Sequence, residues 1–264
     1  KTKKLSTFDG RETAPLSAPD DLFMGKNNTP LAFFDAVVGG RSVGTPGTVK
    51  LLWQTHQQFG HKDWSNLLSP AIKLANLGFE VGNRLANAID RDAERLSTDK
   101  TTASYFLPNG KALKAGQFKT NPSYAKTLSL LASKGGDYFY TDEFSQVLTK
   151  KVQQAENVGY LSSKDFQQYK LIERKPVCSS YHQYNICGMG PPSSGAITLS
   201  QTLGILETHA LKSMSPANAS TWHIIAEASR LAFADRGLYL ADPDFVTIPS
   251  GLLSKNYLQQ RSDL

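Results

Sequence analysis

Residues 1–264 are predicted to form a single helix-rich α+β domain, and three observations carry that expectation. Apolar residues recur at helical spacing through the middle and the end of the chain. Short extended runs rich in glycine and proline lie near both ends. No internal repeat or low-complexity linker divides the 264 residues, which are enough to bury a substantial core.

Taken in order, residues 1–50 contain FFDAVVGG and VGTPGTV, which read as short strands and turns. The period then changes in HQQFGHKDWSNLLSPAIKLANLGF. Asp63 stands where an N-cap belongs, and Trp64, Leu67, Leu68, Ala71, Leu74 and Ala75 share one helix face. Gly78 is the stop, and Pro70 should kink the helix. Residues 82–97 (GNRLANAIDRDAERLS) read as a second, more charged and more exposed helix, and residues 99–122 as loop with short extended pieces. Helices return at PSYAKTLSLLASKG, closed by Gly135 and Gly136, and at DEFSQVLTKKVQQAENVG. A cap-like Ser163 precedes KDFQQYK. A hairpin over residues 176–188, helices over 195–211 and 216–238, and the turn ADPDF complete the chain.

Composition excludes several function classes. The net charge is +6, but acidic residues accompany the basic ones almost everywhere. Only Lys1, Lys3 and Lys4 cluster, without the interleaved aromatics of a stacking platform, so a solvated, mildly basic surface is expected and no nucleic-acid partner. No apolar stretch is long enough to span a bilayer. The opening KTKKLSTFDGRE has no apolar core of signal-peptide length, so it is expected to begin a mature cytosolic chain or to lie within a longer precursor.

Two cysteines lie in VCSSYHQYNICGM, which reads as two strands around a turn at His182 and Gln183. A symmetric loop of two or four residues sets Tyr181 opposite Tyr184 and Cys178 opposite Cys187. With a two-residue loop the cysteines fall at a non-hydrogen-bonded pair, where Cα atoms are about 4.5 Å apart. A Cys178–Cys187 disulfide is the expectation in an oxidising compartment; two buried thiols are the alternative.

Other chemical candidates are weak. GPPSSGAITLSQ, residues 190–201, lacks the Gly-x-Ser-x-Gly of a nucleophile elbow. Ser193 or Ser194 reads as an N-cap, with Leu199, Leu203, Leu206 and Ala210 on one face of the helix that follows. His223 and Glu227 are four residues apart, but no further ligand pair completes a metal set. Asp235, Asp242 and Asp244 lack the glycine and spacing of a calcium loop. GGRSVGTPG lacks the Lys-Ser/Thr of a P-loop, so no cofactor is expected. In DGRETAP, residues 9–15, Arg11 is bracketed by Asp9 and Glu12. Two readings stay open: a surface ion pair, or a guanidinium held to grip a substrate carboxylate.

Five stretches occur in order: FDGRETAP, GRSVGTPGTV, PAIKLANLGFEV, the hairpin running into GMGPPSSGAITLSQTLGILE, and AEASRLAFADRGLYLADPDFV. In order and spacing they resemble the gamma-glutamyltranspeptidases over nearly the whole chain. The resemblance implies the large-subunit part of an N-terminal-nucleophile hydrolase with an αββα sandwich. In that family a precursor cleaves itself, and the new N-terminal threonine of the small subunit attacks the γ-glutamyl amide of glutathione. Its free α-amino group, titrating at about 7.7–8.0, serves as base to its own hydroxyl. Water or an amino-acid or peptide amine then resolves the acyl-enzyme, and backbone amides of the small subunit hold the oxyanion.

The nucleophile is expected beyond Leu264, so this chain by itself is expected to be catalytically silent. Thr101 and Thr102 precede the DPDF region and do not match the processing threonine. The glycine-rich segment that normally precedes DGRE-type motifs is also absent. Arg11 is the residue implied to bind the α-carboxylate of the γ-glutamyl group, with Glu12 orienting it; no catalytic residue is implied within the chain. The implied partners are the small subunit, a γ-glutamyl donor and an amine acceptor, in the periplasm or outside the cell. A glutaryl or β-lactam acylase and a non-catalytic scaffold are the alternatives. Unpaired strand edges and apolar surface would make a fragment self-associate.

Overall fold

The computed structural model describes residues 4–264; Lys1 and Lys3 of the basic cluster lie outside the described residues. After the short strand β1 (Thr7–Asp9), the first run expected as strand and turn, FFDAVVGG, opens instead on helix α1 (Phe33–Val37); in the second, VGTPGTV, Thr45 makes an isolated bridge with Thr13 and only Thr48 and Val49 enter helix α2 (Thr48–Phe59). Only the first turn of α2 holds the β-branched pair Thr48 and Val49. The rest, KLLWQTHQQF, is dominated by helix formers. Gly60 ends it, and a Cβ there would lie 2.4 Å from the His56 ring. Helix α3 (Trp64–Leu77) starts after Asp63 and stops at Gly78, whose φ of +89° suits glycine. The Asp63 carboxylate accepts from the Asn66 amide side chain at 3.2 Å and caps no backbone N–H.

Strand β2 (Phe79–Glu80) follows. The helix expected over residues 82–97 divides at Asp92 into α4 (Asn83–Arg91) and α5 (Ala93–Ser97). Residues 99–122, expected as loop, contain α6 (Lys100–Phe106) because the Asp99 carboxylate accepts the Thr102 N–H at 2.8 Å. Thr101 and Thr102 therefore lie in the first turn of a capped helix. Strand β3 (Phe118–Lys119) pairs antiparallel with β2. Helix α7 (Pro122–Lys134) has proline in its first turn, an Asn121 cap at 3.0 Å from Tyr124 N, and Gly135 at φ +83° as its stop. Then come α8 (Asp142–Gln153) and α9 (Ser163–Gln168). The cap of α9 is Ser162, one residue earlier than expected, in a capping box with Asp165. Strands β4 (Ile172–Arg174), β5 (Val177–Tyr181) and β6 (Tyr184–Gly188) precede α10 (Gly195–Leu206), α11 (Ala219–Tyr239) and α12 (Lys255–Ser262).

These elements form two compact units. One comprises residues through Gly10 together with Leu171–Leu264; the other is Arg11–Lys170. In the second, Tyr140, Val152, Leu161, Phe166 and Tyr169 make one apolar cluster, and Val81, Ile89, Leu107 and Leu113 another. Helix α3 packs along α7, and the Trp64 indole donates to Leu131 O at 2.9 Å. Helix α7 covers only one flank of the apolar face expected for α3. Trp64, Leu68 and Ala75 are half-buried, while Leu67, Ala71 and Leu74 are exposed.

In the first unit, β1 pairs antiparallel with β4, and β5 with β6. Ile205 and Leu206 of α10 pack on Ala228 and Leu231 of α11. The inward face of α10 keeps Leu206 of the expected set, but Leu199 is exposed, the helix ends before Ala210, and Ile197, Gln201 and Ile205 are buried. Helix α11 and the β5–β6 hairpin both pack on α10, which sets the side it turns inward. A polar network ties the three helices. Gln201 Nε2 and the Tyr257 hydroxyl donate to Asp235 Oδ2, each at 2.8 Å, and Arg261 lies 3.0 Å from Asp235 Oδ1. Burial and that carboxylate push the Tyr257 phenol up to about 12.

Candidate functional site

The segment that carries Arg11 leaves β1 and is fastened within the second unit at successive backbone groups. The Tyr169 hydroxyl donates to the Arg11 carbonyl at 2.8 Å. Thr13 and Thr45 exchange backbone hydrogen bonds of 3.3 and 2.8 Å. The Leu16 N–H donates to Asp165 Oδ1 at 2.6 Å, and the same carboxylate accepts from Ser162. Gly44 allows this close approach, since a Cβ there would meet Thr13 O at 2.8 Å.

The fastening groups are themselves fixed. Tyr169 is 7 % exposed, and its ring stacks on Tyr140 at 5.7 Å with 18° between planes. The Tyr140 hydroxyl donates to Pro46 O at 2.7 Å and accepts the Lys50 N–H at 3.0 Å. Burial pushes its phenol well above the ordinary tyrosine range, so it stays a neutral donor. Thr45 and Asp165 are likewise buried.

The Arg11 side chain leaves this fixed backbone with 59 % of its surface exposed. Its Nε lies 3.9 Å from Glu12 Oε1, with Glu12 64 % exposed. That is charge proximity beyond hydrogen-bond length, worth little in water. The orienting role expected of Glu12 therefore has no hydrogen bond behind it in this structure. A cleft of ≈ 230 Å³ adjoins Glu12, with Thr13, Pro15, Phe23, Arg41 and Val43 among its walls. A backbone held by hydrogen bonds and a largely exposed arginine side chain suit recognition of a small anion such as a carboxylate.

Asp9, expected beside Arg11, serves another arginine. Arg174 of β4 donates from Nε to Asp9 Oδ2 at 2.7 Å and reaches both oxygens of Asp244 at 3.3 and 3.1 Å. Hydrogen bonds to Asp244 and Asp9 raise the Arg174 guanidinium above its usual value. Asp9 of DGRE and Asp244 of ADPDF are thus joined through Arg174, a residue with no motif of its own. Contacts across 165 and 70 residues leave no local signal. Tyr169 and Asp165 escaped notice for the same reason, at separations of 158 and 149.

The serines of GPPSSG also differ from expectation. Ser194 is at the N-cap position of α10 but caps no N–H; its hydroxyl accepts from Arg236 Nε at 2.9 Å. Ser193 Oγ accepts the Gly195 N–H at 3.4 Å. Cys178 and Cys187 stand opposite each other in the hairpin register and are joined by a disulfide, with Cα atoms 4.1 Å apart. Tyr181 faces Tyr184 across the two-residue turn. Glu227 is ion-paired with Arg230, and among the described residues no three metal-ligating side chains converge. Among the described residues, no helix is long and apolar enough to cross a membrane.

The family model described as "Gamma-glutamyltranspeptidase" matches residues 1–264. A glutathione hydrolase proenzyme of Bacillus subtilis is 38 % identical over 266 residues, covering 100 % of this chain and 45 % of the relative. An acylase ACY 1 proenzyme of a Pseudomonas strain is 36 % identical over 98 % of this chain and 46 % of its own length. The chain thus spans a little under half the length of these relatives. The crystal structure of Helicobacter pylori gamma-glutamyltranspeptidase superposes with a TM-score of 0.91 at 32 % identity, covering 98 % of this chain and 74 % of that one. The helix-rich α+β fold is the one these N-terminal-nucleophile hydrolases share. Among the described residues of this chain, its strands form three separate two-stranded antiparallel pairs.

Proposed function

The chain belongs to the gamma-glutamyltranspeptidase family, and from that premise we propose that it is the large-subunit portion of a self-cleaving precursor acting on glutathione and related γ-glutamyl compounds. The nucleophile is the N-terminal threonine of the small subunit. Its hydroxyl oxygen bonds to the γ-carbonyl carbon, its proton passes through the threonine's own α-amine to the leaving amine, and the amide C–N bond breaks. Water or an amino-acid or peptide amine then attacks the ester and frees the threonine.

This chain supplies the grip on the substrate's far end. Arg11 takes the α-carboxylate of the γ-glutamyl group in a planar, two-pronged bond that fixes charge and orientation before the small subunit acts. The observation that carries this reading is the Arg11 carbonyl held by a buried tyrosine while 59 % of the Arg11 side chain is exposed. Glu12, at 3.9 Å, adds negative charge that a bound carboxylate must tolerate, so its contribution is small. The Cys178–Cys187 bond supports an oxidising, exported location.

The test is Arg11→Lys and Arg11→Gln in the complete precursor, assayed with a γ-glutamyl anilide. Losing the charge-assisted grip, worth about 1.5–3 kcal/mol, raises KM by about one to two orders of magnitude and leaves self-cleavage intact. An unchanged KM removes Arg11 from the substrate site. The acylase at 36 % identity supports a second reading, cleavage of an acyl group other than γ-glutamyl. Preference for a glutaryl over a γ-glutamyl substrate in the same assay would decide for it. A chain without a threonine at the processing site would be a non-catalytic scaffold.

A further inference from the structure

The β5–β6 hairpin has two unlike faces. Across its register, Val177 pairs with Gly188, Ser179 with Ile186 and Tyr181 with Tyr184 on one side; Cys178 pairs with Cys187 and Ser180 with Asn185 on the other. The first face rests on α10. Ser179 Oγ donates to Ser200 Oγ at 2.7 Å, and a Cβ on Gly188 would come within 3.1 Å of the Ala196 Cβ. The disulfide therefore lies on the face turned away from α10. There Cys178 is exposed and Cys187 half-buried, beside the uncharged Ser180 and Asn185.

We propose that Cys178–Cys187 is a site of reversible S-thiolation by small-molecule thiols, with Cys178 the sulfur attacked and Cys187 the leaving group. A thiolate RS⁻ must approach along the S–S axis from outside, and the exposed residue offers that approach. The RS–Cys178 bond forms as the Cys178–Cys187 bond breaks, and Cys187 departs as a thiolate that takes a proton from water. Reversal follows when the Cys187 thiolate attacks Cys178 and expels RS⁻. Full reduction needs a second RS⁻, which takes the first as RSSR and leaves two thiols, a two-electron change. No carboxylate stands among the outer-face residues of the hairpin to repel an anionic thiol.

The opened hairpin keeps its place. Its ladder remains, Ser179 stays bonded to Ser200, and the His182 N–H donates to Glu207 Oε1 at 2.7 Å. Exchange at this bond needs no unfolding, unlike exchange at a disulfide inside a core.

The test incubates the complete native protein with N-acetylcysteine. That thiol has no γ-glutamyl bond, so the outcome is independent of the proposed enzymatic activity. After acid quenching and alkylation with iodoacetamide, peptide mass spectrometry is expected to find the N-acetylcysteinyl adduct on Cys178 in about tenfold excess over Cys187, with Cys187 alkylated. In Cys187→Ala, the remaining Cys178 is expected to react with 5,5′-dithiobis(2-nitrobenzoate) without denaturant. A bond that opens only in denaturant, adduct mainly on Cys187, or an unreactive Cys178 in Cys187→Ala would each overturn the assignment.

Discussion

Tyr169→Phe tests whether the fixed backbone at Arg11 matters to the guanidinium it carries. The substitution deletes one hydroxyl, which donates to Arg11 O at 2.8 Å, and keeps the ring stacked on Tyr140. Losing a part-buried hydrogen bond and leaving a carbonyl short of its partner costs about 1–3 kcal/mol. In a protein of this size that lowers Tm by about 2–4 °C per kcal/mol. If the clamp serves the site, part of the cost appears as weaker carboxylate binding. KM for a γ-glutamyl anilide then rises by about three- to tenfold, equivalent to about 0.7–1.4 kcal/mol, while kcat changes little. The assay is steady-state kinetics on the matured full-length protein beside a thermal melt. A lowered Tm with KM unchanged would refute the reasoning, because Tyr169 would then hold the fold alone.

Gly44→Ala should destabilise the same segment, since its Cβ would stand 2.8 Å from Thr13 O; a melt unchanged from wild type would contradict the close approach. The Asp99 carboxyl is lowered from 3.8 to about 2, first by its hydrogen bond from Lys151 and then by the Thr102 amide. A depressed carboxyl contributes stability that is full above its unfolded value of about 3.9 and lost as pH falls through about 2. Lys151→Met should therefore raise the Asp99 pKa toward its ordinary value in an NMR titration, and an unmoved titration would show that Thr102 suffices. Replacing both Cys178 and Cys187 by alanine should cost about 2–3 kcal/mol in chemical denaturation, from the loop closed over a separation of nine residues.

Legibility in the sequence followed the range of the forces involved. Helices α3 and α7 were readable because their stops, Gly78 and Gly135, act locally through positive φ. The hairpin was readable because a two-residue turn sets its own register. The start of α2 is hidden in the sequence because glycine, proline and β-branched residues crowd it, and α6 reads as loop because one aspartate cap outweighs a polar composition. The face of α10 was misjudged because the partners packed on it, α11 and the hairpin, set its inward side. At the site, Arg11 stood out only through resemblance to a family. Its supports, Tyr169 and Asp165, and the Arg174 link between Asp9 and Asp244, depend on chain segments that meet only after folding.

The most direct test of the account pairs Arg11→Gln with a substrate lacking the group Arg11 is assigned to hold. Wild type and variant are compared on a γ-glutamyl anilide and on the 4-aminobutanoyl anilide, which has the same amide and amine but no α-carboxylate. The account predicts that the variant loses kcat/KM by about one to two orders of magnitude on the first substrate and almost nothing on the second. Equal losses on both would contradict it, because the arginine would then act on something other than the carboxylate.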